Sequence, residues 1–276
     1  YEMVKNVNNL MAFEKAYSEM MEQEDISMYR TKILYTFVKL SIYYNKRKSE
    51  MEKAYFAYII GKYFKNIESE YVLSFFIGIL YRFLQCKSIY CKINAMDAIY
   101  NIGTTEHILR AISIINKNEY AFNEVLLANG LKNVEEDKEL LAQELFKRFD
   151  EYNKHIQIAI IKFLSDFRYI NEELILEKLK NNSIATDVRC EIMRYFQKNK
   201  NENAKKYLME RLSREEIIAN DLIIKAIGTL GYYEENEVYD LLNKLEESTD
   251  YLIKESVHRS LEKRQKLQKQ QLLEVI

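Results

Sequence analysis

Proline, tryptophan and glycine are the residues that this sequence lacks or nearly lacks: its 276 residues include no Pro, no Trp and only six Gly. Sheet proteins need many tight turns, and these turns depend on Gly and Pro for their unusual backbone angles. The scarcity of both residues argues against a sandwich or a barrel. Together with abundant Leu, Ile, Lys, Glu and Tyr, it predicts helices connected by short polar turns.

An excess of charge of either sign is also missing, because the formal net charge is −1. Nucleic-acid binders gain most of their affinity from a basic surplus that neutralises phosphates. We therefore expect no nucleic-acid partner. Hydrophobic residues make up 48% of the chain and charged residues 30%, which favours a folded chain with a substantial core over a disordered one.

Residues that ligate metals or act as catalysts are few and scattered. The cysteines are Cys86, Cys91 and Cys190, and the histidines are His107, His155 and His258. Their spacing matches no metal-binding pattern, and no phosphate-binding glycine loop or hydrolase motif is present. We predict that the chain is not an enzyme and binds no cofactor. The cysteines are interpreted as reduced core residues in a cytoplasmic setting.

The longest apolar run, residues 71–84, is too short for a membrane span and is closed by Arg82 and Lys87. It predicts a buried core helix instead. The sequence begins at Tyr1 rather than at Met, so we expect that it is cut from a longer chain. An anchor upstream of Tyr1 stays an alternative.

A repeat of about 33 residues runs from Ser88 onward, and each unit contains two helices. Apolar anchors of the first helices, at Cys91, Phe122, Ile156, Val188, Leu222 and Ile253, are separated by 31, 34, 32, 34 and 31 residues. Apolar or small residues follow these anchors by four and by eight positions. Anchors of the second helices, at Ile108, Leu141, Ile175, Leu208 and Leu241, are separated by 33, 34, 33 and 33 residues. Units of this size can bury the apolar faces of both helices only when successive units stack, so the spacing predicts an α-solenoid.

These repeats resemble the HEAT-repeat family in its short bacterial form. The resemblance covers roughly Ser88 to Leu261. It rests on an acidic residue near the anchor and a basic one just after it, in Asp187-Val188-Arg189, Asp221-Leu222, Cys91-Lys92 and Ile253-Lys254, and on glycines at turns, Gly103 and Gly231. The resemblance implies a right-handed superhelix of paired antiparallel helices. The first helices lack the family's proline, and the units of Phe122 and Ile156 lack the charge pair, so a related αα-repeat family stays open.

The two ends of the chain fit the repeat less well. Helices are predicted at about 2–23, 27–45, 49–65 and 69–86, and we interpret residues 1–87 as divergent units continuous with the array at 88–261. A separate N-terminal domain is the alternative. In the second of these helices, the predicted core stripe includes Ile33, Phe37 and Ile42. Residues 262–276 are predicted to form a basic helical tail.

The resemblance implies binding through the concave face lined by the second helices. Exposed positions were predicted there two residues after each anchor, including Arg110 and Glu210, and three residues after it: Ala111, Glu144, Lys178, Arg211 and Lys244. Arg110 and the row Lys178, Arg211 and Lys244 are the candidate partner-binding residues, with Tyr232, Tyr233 and Tyr239 as an exposed aromatic cluster. We predict a scaffold that binds a protein or peptide. The alternatives are an accessory domain of a membrane-anchored protein and an unrecognised enzyme.

Overall fold

The computed structural model describes residues 2–21, 27–117, 122–167, 170–213 and 219–274, and it describes side chains over the same ranges except 21–31 and 267–274. Every regular element in these ranges is helical, which confirms the predicted all-α class. The α-helices are α1 (Val7–Met21), α2 (Ser27–Arg47), α3 (Glu50–Tyr63), α4 (Glu70–Phe83), α5 (Ile89–Ile102), α6 (Thr105–Asn116), α7 (Glu124–Lys132), α8 (Lys138–Lys147), α9 (Lys154–Leu164), α10 (Glu172–Lys180), α11 (Thr186–Lys198), α12 (Glu202–Ser213), α13 (Asn220–Leu230), α14 (Asn236–Leu245) and α15 (Tyr251–Glu274). Short 3-10 turns lie at Met3–Lys5 and Phe149–Glu151.

Polar side chains begin many of these helices, and they replace the glycine and proline that the sequence lacks. The Asn153 side chain accepts hydrogen bonds from the backbone N–H groups of His155 and Ile156, and Asn123 caps α7 in the same way. Ser49 and Glu52 form a reciprocal capping box at the start of α3. Each cap satisfies backbone donors that a helix start leaves unpaired. Short polar turns are therefore sufficient to connect the helices.

The chain divides into two compact units, residues 1–148 and 149–276. In the first unit, α2, α4, α6 and α8 pack in succession as one layer, while α3, α5 and α7 form the other. In the second unit, α9, α11, α13 and α15 form one layer and α10, α12 and α14 the other. First helices thus pack against first helices and second against second, as the alternating pattern predicts.

Polar contacts in the second unit connect positions one repeat apart. Lys154 Nζ lies 3.0 Å from Asp187 Oδ2, a separation of 33 residues along the chain. The Ser260 hydroxyl donates to the backbone oxygen of Ile227 at 3.3 Å, also 33 residues away. The period read from apolar spacing therefore appears as physical contact between successive hairpins.

Most of the predicted core rows are buried, and the exceptions among the first helices are α7 and α15, where Ile253 and Leu261 are only half-buried. The rows Cys91, Ala95, Ile99; Val188, Ile192, Phe196; and Leu222, Ala226, Leu230 are all inside. In α7, however, Leu126 is 45% exposed, while Leu127 and Leu131 fill the core. Phe122 precedes the helix, which begins only after its Asn123 cap. The prediction is therefore wrong for Leu126, whereas Phe122 and Gly130 are buried as predicted.

The second helices follow the prediction until the end of the layer. Leu208 is 1% exposed, but Leu212 is only half-buried, and α14 buries Val238 and Leu242 instead of the predicted anchor Leu241. Among the described layers α14 has a second-helix neighbour on one side only, so less of its surface is covered. The opposite error occurs in α6, where Ala111 is buried rather than exposed, since α4, α5 and α8 all pack against that helix.

The apolar run at residues 71–84 forms α4, and most of its large side chains are buried in the first unit, as predicted. Phe76 and Leu80 are fully buried, while Tyr71 at the first turn is 77% exposed. Across the described ranges, no helix combines the length and the hydropathy that crossing a bilayer requires.

Candidate interaction surfaces

The predicted basic row on the second helices of the second unit is only partly available. Lys178 Nζ lies 2.5 Å from Asp150 Oδ2 and 5.8 Å from the centre of the Phe149 ring. Its charge is therefore engaged within its own unit. Arg211 is half-buried, whereas Lys244 is exposed and has no ion-pair partner among the described residues. The row is not a set of three equivalent free cations.

Arg110 lies in the first unit, on α6. It is exposed, as predicted, and its guanidinium lies 5.1 Å from the centre of the Tyr81 ring. A cation at this distance from an aromatic face is held weakly and stays open to solvent.

The three tyrosines predicted as one exposed cluster have three different environments. Tyr233 is 1% exposed, so the prediction of exposure is wrong for it. Its hydroxyl accepts a hydrogen bond from the Asn201 backbone N–H and lies 3.3 Å from the Phe196 backbone oxygen, to which it can donate. These bonds hold the start of α12 to the turn after α13, because a buried hydroxyl needs such partners. Tyr233 is therefore a structural residue.

The other two tyrosines contact the last helix. Lys263 Nζ lies 3.5 Å above the centre of the Tyr232 ring. Tyr239 is 45% exposed, with the Arg264 guanidinium 5.3 Å from its ring centre. Arg264 itself is only 4% exposed and donates to backbone oxygens at the start of α14. The prediction of a fully solvated basic tail is wrong at this arginine, and Lys269 lies outside the described side chains.

The acidic run Glu234-Glu235 with Glu237 lies at the start of α14, and it contributes carboxylates around a buried cation. Lys205 Nζ lies 2.9 Å from Glu235 and 3.0 Å from Glu237, and the Lys205 side chain is only 4% exposed. Burial alone would lower the pKa of Lys205, but the surrounding carboxylates raise it above its ordinary value. The run therefore compensates the charge of a buried lysine within the second unit.

A continuous exposed stripe runs along α2 in the first unit, opposite its core side. Its residues are Lys32, Tyr35, Lys39, Ile42 and Lys46, and all five are exposed. Tyr35 is 60% and Ile42 44% exposed, so the predicted core position of Ile42 is wrong. The core side of α2 is instead formed by Ile33, Phe37, Leu40 and Tyr44, which are all buried. We call the five exposed residues the α2 stripe.

Among the described side chains, the α2 stripe is basic and has no acidic partner. Between Ser27 and Arg47, α2 carries Arg30, Lys32, Lys39, Lys46 and Arg47 and no acidic residue. Within the described residues, Lys32, Lys39 and Lys46 form no ion pair. Lys48, just beyond the helix, differs, because Glu52 holds it at 2.7 Å. The seven-residue spacing of these lysines can be read from the sequence. The exposure of this face was missed because Ile42 was predicted to lie in the core.

Two adjoining hollows follow the same helix. One, of about 510 Å³, is lined by Thr36, Lys39, Ile42, Tyr43, Lys46 and Arg47. The other, of about 540 Å³, is shared with α1 and the N-terminal turn, and it is lined by Met3, Phe13, Lys32, Thr36 and others. Thr36 belongs to both hollows. The surface along α2 is therefore indented, with apolar floors beside free cations.

A polar pocket of about 530 Å³ lies on the other layer of the first unit, between α3, α5 and the end of α7. Its lining includes Asn94, Asp97, Tyr100, Asn101 and Asn133. The helices approach closely at its floor. A methyl group at Gly61 would lie 2.7 Å from Cα of Ala98, and one at Gly130 would lie 2.1 Å from the Tyr100 ring. Glycine is required at both positions for this packing.

Charge in the polar pocket is unevenly compensated. Two lysines at its edge, Lys62 and Lys65, are each paired with a carboxylate, Glu14 at 2.8 Å and Glu135 at 2.6 Å. Asp97, by contrast, forms no hydrogen bond or ion pair among the described residues. The Asp97 side chain is open at the pocket mouth, yet burial by the surrounding atoms raises the pKa of its carboxyl. No motif or spacing in the sequence predicted this pocket.

The cysteines are free thiols, and two of them interact. The thiols of Cys86 and Cys91 share a hydrogen bond, which lowers the pKa of Cys86 to about 7 and raises that of buried Cys91. Nearby Lys53 also favours the Cys86 thiolate. Cys91 is buried, as predicted, but Cys86 and Cys190 are only half-buried.

No protein-family model matches the sequence, and no curated protein matches it at a significant level. Among the described side chains, no group of three or more His, Cys, Asp or Glu residues is placed to hold a metal ion. The histidines have local roles instead: His107 takes part in a capping box with Thr104, at 3.1 Å.

Proposed function

We propose that this chain is a non-enzymatic interaction scaffold of the HEAT-like solenoid type, and that it binds an acidic, amphipathic helix of a protein partner along the α2 stripe. The layered order of the helices within each unit supports the solenoid, because stacked hairpins bury their stripes in this way. The observation that carries the binding function is the α2 stripe itself.

The spacing of the α2 stripe fits a helix better than any other shape of partner. Its residues follow one another at intervals of three, four, three and four, which is the spacing of a coiled-coil seam. Tyr35 and Ile42 occupy one position of that seam, and the three lysines occupy the other. An amphipathic helix laid along this face would bury both apolar side chains and fill the adjoining hollows.

Charge selects the partner's composition. Three lysines without ion-pair partners in the described part of the chain lie along one face, and α2 offers no acidic residue to a basic ligand. A partner helix with Glu or Asp opposite the lysines and Leu, Ile or Met opposite Tyr35 and Ile42 is complementary to it. Like charges would oppose a basic partner in the same place. Such binding weakens as salt concentration rises.

The test uses a designed fluorescent helical peptide with Glu and Leu at the matching spacing, and fluorescence anisotropy as the readout. We compare the parent chain with the triple variant Lys32→Glu, Lys39→Glu, Lys46→Glu. Three exposed ion pairs at about 0.5 kcal/mol each correspond to roughly a tenfold loss of affinity, and repulsion adds to it. Circular dichroism checks that the helices are retained.

The matched control reverses the other predicted row, Lys178→Glu, Arg211→Glu and Lys244→Glu. It carries the same change of charge, and we expect it to leave peptide affinity unchanged. Loss of binding only in the control would move the site to α10, α12 and α14. If a peptide with the same composition but scrambled spacing binds equally well, binding depends on charge alone and the proposed helical fit is wrong. Binding to phosphatidylserine vesicles without binding to the peptide, or self-association of the chain through α2, would overturn the proposed partner.

A further inference from the structure

A second site lies in the polar pocket between α3, α5 and α7, and it is independent of the α2 stripe. The pocket volume of about 530 Å³ lies within the usual range of ligand sites, roughly 300–1,000 Å³. The side chains that line the pocket determine the chemistry of the ligand it would bind. Three features of the lining bear on it: an uncompensated carboxylate, a buried hydroxyl without a partner, and free side-chain amides.

Tyr100 provides the buried hydroxyl. The residue is 4% exposed, and its hydroxyl oxygen has no hydrogen-bond partner in the described structure. Buried polar groups in proteins are nearly always paired, because an unpaired one forfeits its bonds to water. Tyr100 cannot turn away easily, since its ring is packed against Gly130. The hydroxyl oxygen is enclosed, so a ligand that enters the pocket supplies the missing bond by displacing the atoms that cover it.

Asp97 provides the charge. It lies one helical turn before Tyr100 on α5, on the same side of the helix. The lysines that share the pocket are neutralised by Glu14 and Glu135, so the carboxylate of Asp97 is the charge left over in the lining. An anion would meet this carboxylate and would have to displace Glu14 or Glu135. A cation meets no such obstacle.

Asn101 and Asn133 add further acceptors. Both side chains line the pocket, and neither forms a hydrogen bond among the described residues. With Asp97 and Tyr100 they place several oxygen acceptors in the lining of one pocket. An ammonium group offers three donors from a single atom, whereas a guanidinium offers five in a plane and reaches several acceptors at once.

We propose that this pocket binds the guanidinium of an arginine side chain, presented by a peptide or protein, with Asp97 as its ion-pair partner and Tyr100, Asn101 and Asn133 as hydrogen-bond partners. The site lies on α3, α5 and α7, so it does not depend on binding at α2. A single chain can therefore engage an acidic helix and a basic side chain at separate places.

The test is an NMR titration of the isotope-labelled chain, read at the side-chain amide signals of Asn101 and Asn133. The probe is acetyl-arginine methylamide, and the control is the citrulline analogue, which has the same shape without the charge. We expect the arginine probe to shift both signals and the citrulline analogue to bind at least about tenfold more weakly. Equal shifts with both compounds, or none with arginine up to its solubility limit, would overturn the proposal. So would larger shifts with inorganic phosphate.

Two variants separate binding from folding. Asp97→Asn keeps the shape of the side chain and should abolish arginine binding, while Asp240→Asn, an exposed change on α14, should not affect it. Tyr100→Phe should weaken binding and leave the stability of the free chain unchanged or higher, since the hydroxyl it removes has no partner. A loss of stability in Tyr100→Phe with undiminished arginine affinity would show that the hydroxyl serves the fold, and would contradict the assigned role.

Discussion

Leu208 on α12 gives the sharpest test of the repeat register, because a neighbour one turn later provides an internal comparison. Leu208 is 1% exposed, whereas Leu212 is half-buried at the end of the same helix. Replacing Leu208 by Ala removes three carbon groups, worth about 0.8 kcal/mol each when fully buried, or about 2.4 kcal/mol. The cavity left behind adds to this, so we expect a loss of about 3 kcal/mol, within the range of about 2–5 kcal/mol found for such changes.

Leu212→Ala should cost about 1 kcal/mol, since half of the side chain is already in contact with water and no closed cavity forms. Glu210→Ala, on the exposed side of the helix, should stay within about 0.5 kcal/mol of the parent chain. The measurement is urea unfolding followed by far-UV circular dichroism, with the slope of the transition checked for two-state behaviour. Equal losses for Leu208→Ala and Leu212→Ala, or a loss below about 0.5 kcal/mol for the first, would refute the register.

Two further predictions concern glycines and a thiol. Gly228→Ala on α13 should raise the free energy of unfolding by about 0.5–1 kcal/mol, because a methyl group there meets nothing within 4 Å and alanine favours the helix. Gly61→Ala should lower the free energy of unfolding, because its methyl group would lie 2.7 Å from Cα of Ala98. If urea unfolding shows that Gly61→Ala is more stable than the parent chain, the close packing of α3 and α5 is disproved. Alkylation of Cys86 by iodoacetamide, followed by mass spectrometry across a pH series, should have its midpoint near pH 7 because the Cys91 thiol stabilises the thiolate, so reactivity falls as the pH drops below that value. A midpoint near the ordinary value for a cysteine, or its persistence near 7 in Cys91→Ala, would contradict this cause.

Local features of the fold were predictable because they depend on spacing within one helix. The rows that begin at Cys91 and Val188 are buried as their period indicates, since residues four apart share a helical face wherever the helix lies. The buried position of α4 followed from the length and composition of its apolar run. The exposure of Leu126 in α7 could not be read in this way, because Leu126 and Leu127 are adjacent apolar residues and only Leu127 is buried.

The binding surfaces were harder to predict, because exposure depends on neighbours from distant parts of the chain. Ile42 has the residue type of a core position, yet it is 44% exposed and none of the described helices covers it. Tyr233 reads as a residue of an exposed turn, yet backbone groups of Phe196 and Asn201 enclose its hydroxyl. For both Ile42 and Tyr233, the sequence offered only residue type and position in the pattern as evidence of exposure. Only the packing of other helices distinguishes them.

By itself, the sequence determined that the chain is helical, that its helices alternate in two kinds, and that successive hairpins recur about every 33 residues, as the contact of Lys154 with Asp187 shows. These properties follow from composition and from the period of apolar residues, which act within a few turns of chain. Tertiary structure alone decided which cations stay free and which polar groups stay unpaired. Within the described ranges, Lys178 is paired with Asp150 while Lys39 has no ion-pair partner, and the Tyr100 hydroxyl has no hydrogen-bond partner beside Asp97. Ion pairs and burial join residues far apart in the sequence, so no local pattern records them.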